Sequence, residues 1–224
     1  MALTFDDIFT AYYSLFRADS DVPSNTDDEY TVGMRLANEA INYWANYDST
    51  YWNELFTTNQ LSNNLGQVYA LGTTSYDLPT DFGEIGGYVQ LRGLDGTVQA
   101  RIPRLEPNEV QFRDPVGTYA YIADNKLVLN SASPNNWSGL LIEYPYYKKP
   151  TLFTVGASTT EMHDPYFIVH RMLANQFRAA RNPYYTSALR DSEDAIRKMQ
   201  LHNNSGSWDN PPTATDNSGN VWGL

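Results

Sequence analysis

The apolar residues of this chain repeat at helical spacing near both ends and at a period of two between them. That change of period limits the fold more than any other feature, because a helix stripe and a strand face bury different sets of positions. At the N-terminal end, Phe5, Ile8, Phe9, Tyr12, Leu15 and Phe16 share a helical face, with Thr4 as N-cap and Asp7 three residues on as its capping-box partner. After the breaker ADSDVPSN, Thr26-Asp27-Asp28-Glu29 reads as a second capping box, followed by Tyr30, Met34, Ala37, Ile41 and Trp44 at steps of four and three. Toward the other end, Asp164-Pro165 and Asn182-Pro183 each place an N-cap before a preorganised first helical residue. The helices they open are expected to bury Val169, Met172, Leu173 and Phe177, and Tyr185, Leu189, Ile196 and Met199.

From about 66 to 150 the alternation is strand-like. Two stretches, 88–92 and 97–102, flank Gly93-Leu94-Asp95-Gly96, and 118–122 and 126–129 flank Asp124-Asn125, so two hairpins are predicted, with a further strand over 138–147. The patterns together predict an α+β fold. Helices over 4–16, 26–47, 164–180 and 183–201 are expected to close into a four-helix bundle made of the N- and C-terminal pairs, with an inserted antiparallel β-region and an extended C-terminal arm. The regions are 1–65, 66–160, 161–202 and 203–224.

The charge is uneven along the chain. A formal net charge of −11 argues against a broad nucleic-acid-binding surface, since such a protein would repel polyphosphate. Residues 1–65 hold 10 acids against 2 bases, whereas residues 161–202 hold 5 acids against 6 bases. Polarity of this kind suits a subunit held between different partners. Asp27, Asp28 and Glu29 suggest a metal site, but carboxylates in the first turn of a helix are what its dipole favours.

With no cysteine, disulfides, thiolate metal sites and a cysteine nucleophile are excluded. A phosphate-binding GK[ST] loop, a GxSxG elbow and an HExxH pair are all missing from the sequence. The acids of MALTFDDIF stand where a signal peptide carries bases, and no apolar run is long enough to span a membrane, so a soluble, unprocessed chain is expected. His163, His170 and His202 share no metal-ligand spacing, and Asp77, Asp81 and Glu84 read as turn residues before they read as an acid–base pair.

The order of parts resembles the head-to-tail adaptor (connector) proteins of tailed bacteriophages. The run from Tyr76 through Leu78, Pro79 and Asp81 to Phe82 is similar to the Y-x-L-P-x-D-F stretch that introduces the β-region in that family. A line like 121–129, a strand like 141–144 and a closing helix pair then follow, so the likeness covers about 4–200. The resemblance implies a non-enzymatic virion protein of the neck, assembled in the host cytoplasm, without cofactor. It would form a homo-oligomeric ring, commonly of twelve copies, that docks on the portal protein, receives a tail or nozzle protein and lets double-stranded DNA pass without specific binding. Tyr76, Leu78, Pro79, Asp81 and Phe82 carry over as a structural motif. Trp208, Val221, Trp222 and Leu224 are the large apolar residues of an otherwise polar terminal arm, and are expected to anchor it on portal or a neighbouring subunit. Asp27, Asp28 and Glu29 are expected to line or border the channel. The alternatives are another neck or tail component, such as a stopper or tail terminator, and a carbohydrate-binding module that uses the aromatic excess for stacking.

Overall fold

The computed structural model describes residues 3–17, 21–59, 67–110, 112, 117–130 and 134–209. Its elements in chain order are α1 (Phe5–Arg17), α2 (Asp28–Ala45), β1 (Phe56–Thr58), β2 (Gln67–Val68), β3 (Ser75–Asp77), β4 (Phe82–Ile85), β5 (Val89–Arg92), β6 (Val98–Ile102), α3 (Pro107–Val110), β7 (Tyr119–Ala123), β8 (Lys126–Asn130), β9 (Leu141–Glu143), β10 (Pro145–Lys148), α4 (Tyr166–Ala179) and α5 (Tyr185–Asp209). They fall into a helical unit of residues 1–54 and 150–224 and a β unit of residues 55–149. The sequence pattern put the changes of character near 65 and 160.

The α+β character is present, but the four-helix bundle is not. The described residues form five α-helices and three small antiparallel sheets. In the helical unit α4 is the hub against which α1, α2 and α5 each pack. Two physical reasons exclude the bundle. The helices are unmatched in length, 13 residues in α1 against 25 in α5, so they cannot share whole layers. The non-helical segment before α4 also takes the place expected for helix packing. The Phe153 ring lies 5.4 Å from that of Phe5, and Asn38 of α2 clamps Phe153 by donating to its carbonyl (3.0 Å) and accepting from its N–H (2.8 Å).

Local chemistry accounts for the helix ends. Thr4 and Asp7 exchange the expected capping-box bonds, with the Thr4 N–H donating to Asp7 Oδ2 at 2.9 Å and the Asp7 N–H to Thr4 Oγ1 at 3.3 Å. Asp27, not Thr26, is the N-cap of α2. Its carboxylate turns away from the helix to accept from the N–H (2.7 Å) and hydroxyl (2.9 Å) of Ser24. Gly33 sits under the Phe9 ring, where a Cβ would overlap the aromatic edge, so this mid-helix glycine is a close-approach residue. Beyond 201 the predicted extended arm is replaced by helix as far as Asp209. The physical reason is a tertiary anchor. The buried Asn203 amide accepts from the Asn53 N–H (2.8 Å) and donates to the Tyr51 carbonyl (2.9 Å), and such contacts override weak helix propensity.

The β unit is organised by two segments that each serve two sheets. β4 and β5 run antiparallel to β10 and β9, with Ile85 opposite Tyr146 and Leu91 opposite Ile142. β1 pairs with β10, and β2 with β9. At the changeover Asn59 replaces the strand that has left. It accepts from the Tyr144 N–H (2.7 Å) through Oδ1, donates to the Ile142 carbonyl (3.1 Å) through Nδ2, and gives its own N–H to the Tyr144 carbonyl (3.2 Å). The third sheet, in the order β3-β8-β7, reverses at Asp124-Asn125, both with positive φ (50° and 59°) as the predicted hairpin turn requires. One apolar cluster lies under all three sheets, with Val89, Leu91, Ile102, Ala120, Leu127 and Tyr144 fully buried.

Candidate functional site

Among the described residues, an apolar recess of the helical unit lies at the α1–α2 face. Tyr12, Phe16, Val32 and the backbone of Gly33 line a pocket of about 170 Å³, to which Gln176 of α4 also contributes. Stacking fixes its walls, since the Tyr12 and Phe16 rings are 5.8 Å apart and nearly parallel, and Phe16 also meets Phe177 at 6.2 Å. Arg17, Asp28 and Glu29, all solvent-exposed, contribute the charged part of its lining. Glu29 accepts from the Tyr13 hydroxyl (3.2 Å) and from Arg17 (3.0 Å), which holds α1 against α2 there. Burial of the Tyr12 hydroxyl pushes its pKa up to about 12, so it stays a neutral hydrogen-bonding group across the working pH range.

A second recess, of about 410 Å³, is polar. Asp6, Thr10, Ser24 and Tyr30 contribute to its lining, and the Tyr30 hydroxyl donates to Asp6 Oδ1 at 2.5 Å.

The expected site residues separate in space and in role. Asp27 is bound to Ser24 and Glu29 to Arg17, so both are tied into local structure, while Asp28 is exposed in the pocket lining. The run from Tyr76 to Phe82 forms the end of β3, a turn and the start of β4. Phe82 donates its N–H to the Pro79 carbonyl (3.0 Å), Asp81 Oδ1 accepts from the Tyr146 hydroxyl (2.9 Å), and Phe82 stacks on Tyr146 at 5.6 Å. Leu78 packs against the β core, and the Tyr76 hydroxyl bridges the Thr73 carbonyl (3.1 Å) and the Ala70 N–H (3.2 Å). Asp77 pairs with Lys126 at 3.2 Å, and Asp81 is held by the Tyr146 hydroxyl. Trp208 lies on the last turns of α5; Val221, Trp222 and Leu224 lie outside the described residues.

Two features were missed by sequence reasoning. His163 and His202 stack with ring centroids 4.4 Å apart, a pairing that spacing along the chain does not reveal. The clamps of Asn38, Asn59 and Asn203 were also unseen; only Asn38, within the apolar stripe of α2, carries a signal in the sequence. Among the described residues no group of three or more His, Asp or Glu side chains is placed to hold a metal ion, and no helix is long and apolar enough to cross a membrane. No protein-family model matches the chain, and no curated protein matches it.

Proposed function

We propose that this protein is a structural virion subunit that assembles as a ring between the capsid portal and the tail and continues the DNA channel. The observation that carries the reading is the ordered run from Tyr76 to Phe82, which joins β3 to β4 within a β unit that lies in sequence between two N-terminal helices and a closing helix pair. The side chains of the run are occupied in holding that turn, as a structural motif requires. The acidic excess suits a wall past which DNA slides without sticking. In this role the protein needs no cofactor and no catalytic group. Its partners are portal, a tail or nozzle protein and further copies of itself, and its place is the virion neck after assembly in the host cytoplasm. Trp208, Val221, Trp222 and Leu224 serve as apolar anchors on portal or a neighbouring copy.

Co-sedimentation with purified portal protein tests the proposal. A stable complex that weakens when 210–224 are deleted is the expected result. Failure of the full chain to bind portal, together with binding of oligosaccharide by the monomer, would overturn it in favour of a glycan-binding module.

A further inference from the structure

The helical unit is electrically lopsided. The exposed side chains of α1 and the first half of α2 include Asp6, Asp7, Asp28 and Glu29 against Arg17 and Arg35. The end of α4, the turn after it and the exposed side chains of α5 reverse this, with Arg178, Arg181, Arg190, Arg197 and Lys198 exposed against Asp191 and Asp194. An apolar feature sits within each charged face. On the acidic side it is the recess between Tyr12, Phe16 and Val32, with Val32 43% exposed. On the basic side it is Leu201, 70% exposed and one helical turn from Arg197 and Lys198.

We infer that a second copy of this chain occupies the α1–α2 recess, inserting Leu201 of its α5 between Tyr12, Phe16 and Val32 while its Arg197 and Lys198 meet the acidic part of the lining at Asp28. The inference rests on the ring reading above and names the contact that builds the ring. Shape and charge commit to this occupant together. The volume of the recess, about 170 Å³, has room for one branched aliphatic side chain, and Leu201 is exposed on a helix that is already formed. Glu29 is already neutralised by Arg17, which leaves Asp28 as the lining carboxylate for the incoming cations. The two surfaces differ, so the contact is head-to-tail: each copy offers one of each, and repetition closes a ring or extends a filament. Asp28 is thereby assigned to a subunit contact and not to a channel wall.

The geometry supplies its own test. Arg197→Glu with Lys198→Glu destroys the α5 face and leaves the recess; Asp28→Lys with Val32→Lys destroys the recess and leaves the α5 face. In sedimentation velocity at low salt, the wild-type full chain should associate and each double variant should remain monomeric, with helical circular dichroism unchanged. Mixed in equal amounts, the two variants should form one-to-one dimers and nothing larger, because only one functional contact exists between them. Leu201→Ala should weaken association of the wild-type background by roughly 10-fold or more, as for a central apolar anchor. Assembly of either double variant like wild type, with rings intact, would overturn this interface and leave the ring reading standing. A full chain that stays monomeric alone and with portal would overturn both. Loss of association on deleting 210–224, with no effect of the α5 reversal, would overturn the inference by making the terminal segment the occupant.

Discussion

The helical and β units use the same device for opposite purposes. In each, an asparagine amide hydrogen-bonds to backbone groups far away in sequence. In the β unit Asn59 completes a ladder inside a contiguous stretch of chain, where the two strand segments of each pair change sheet. In the helical unit Asn38 and Asn203 instead tie together parts from opposite ends of the chain, at separations of 115 and 152 residues. Sheet pairing surrounds Asn59 with further backbone bonds, whereas the helical ties stand among side-chain contacts. The difference teaches that the β unit closes its long loops within one continuous stretch of chain, whereas the helical unit is assembled from two stretches that lie at opposite ends of the chain.

The largest expected effect separates the two cores. Ile41→Ala and Leu127→Ala each remove a fully buried side chain, one from each unit, and each should cost about 2–5 kcal/mol. Calorimetry of the two variants should show different parts of the unfolding profile displaced; a single transition lowered equally by both would merge the units into one cooperative block. Next come the amide ties. Asn59→Leu and Asn38→Leu each leave a backbone N–H and a carbonyl without partners, at about 1–3 kcal/mol per buried group. Hydrogen exchange should show the loss confined to Tyr144 and its neighbours in the first case, and spread over both ends of the chain in the second.

Tyrosine ionisation sharpens the comparison from the alkaline side. Burial, then a hydrogen bond to Asp6, raises the Tyr30 pKa to about 12, and burial, then a hydrogen bond to Asp81, raises that of Tyr146 to about 12. Both values lie above the roughly 10 of an unfolded tyrosine, so the stability they contribute is complete below about pH 10 and is lost as pH rises toward 12. Tyrosinate absorbance should therefore rise in two stages, the second coinciding with loss of ellipticity in both units. An absorbance curve with one stage near pH 10 would remove the linkage. The smallest effect concerns Arg181, which holds a left-handed φ of 53° where the chain turns from α4 into α5, with the Asn182 N–H returning to the Phe177 carbonyl at 2.8 Å. Arg181→Gly should raise thermal stability by up to about 1 kcal/mol, because glycine takes that φ without the Cβ penalty.

Periodicity and turn chemistry were readable from the residues. The stripes beginning at Phe5 and Tyr30, the caps at Thr4 and Asp164, and the hairpin at Asp124-Asn125 depend on neighbours close in sequence, so pattern reaches them. The bundle was misread because helix-period stripes reveal that a face is buried and not what buries it. Phe153, on a segment without regular structure, covers Phe5. The end of α5 was misread because its helicity depends on Asn203 meeting Tyr51 and Asn53, a contact with no local signature. The recess at Tyr12, Phe16 and Val32 was hidden for the same reason: it exists only where two helices meet.

The division of the helical unit between the two ends of the chain sets an order on its biosynthesis. When α2 leaves the ribosome its clamp partner Phe153 is still 115 residues from being made, a delay on the order of 10 s at common elongation rates. During that interval the strands of the β unit are made in order, β10 ending five residues before Phe153, while the faces of α1 and α2 wait without Phe153. The nascent chain thus carries an adhesive surface through most of its synthesis, and it is this surface, with Phe5 and Phe9 among its residues, that a holding chaperone would be expected to meet first.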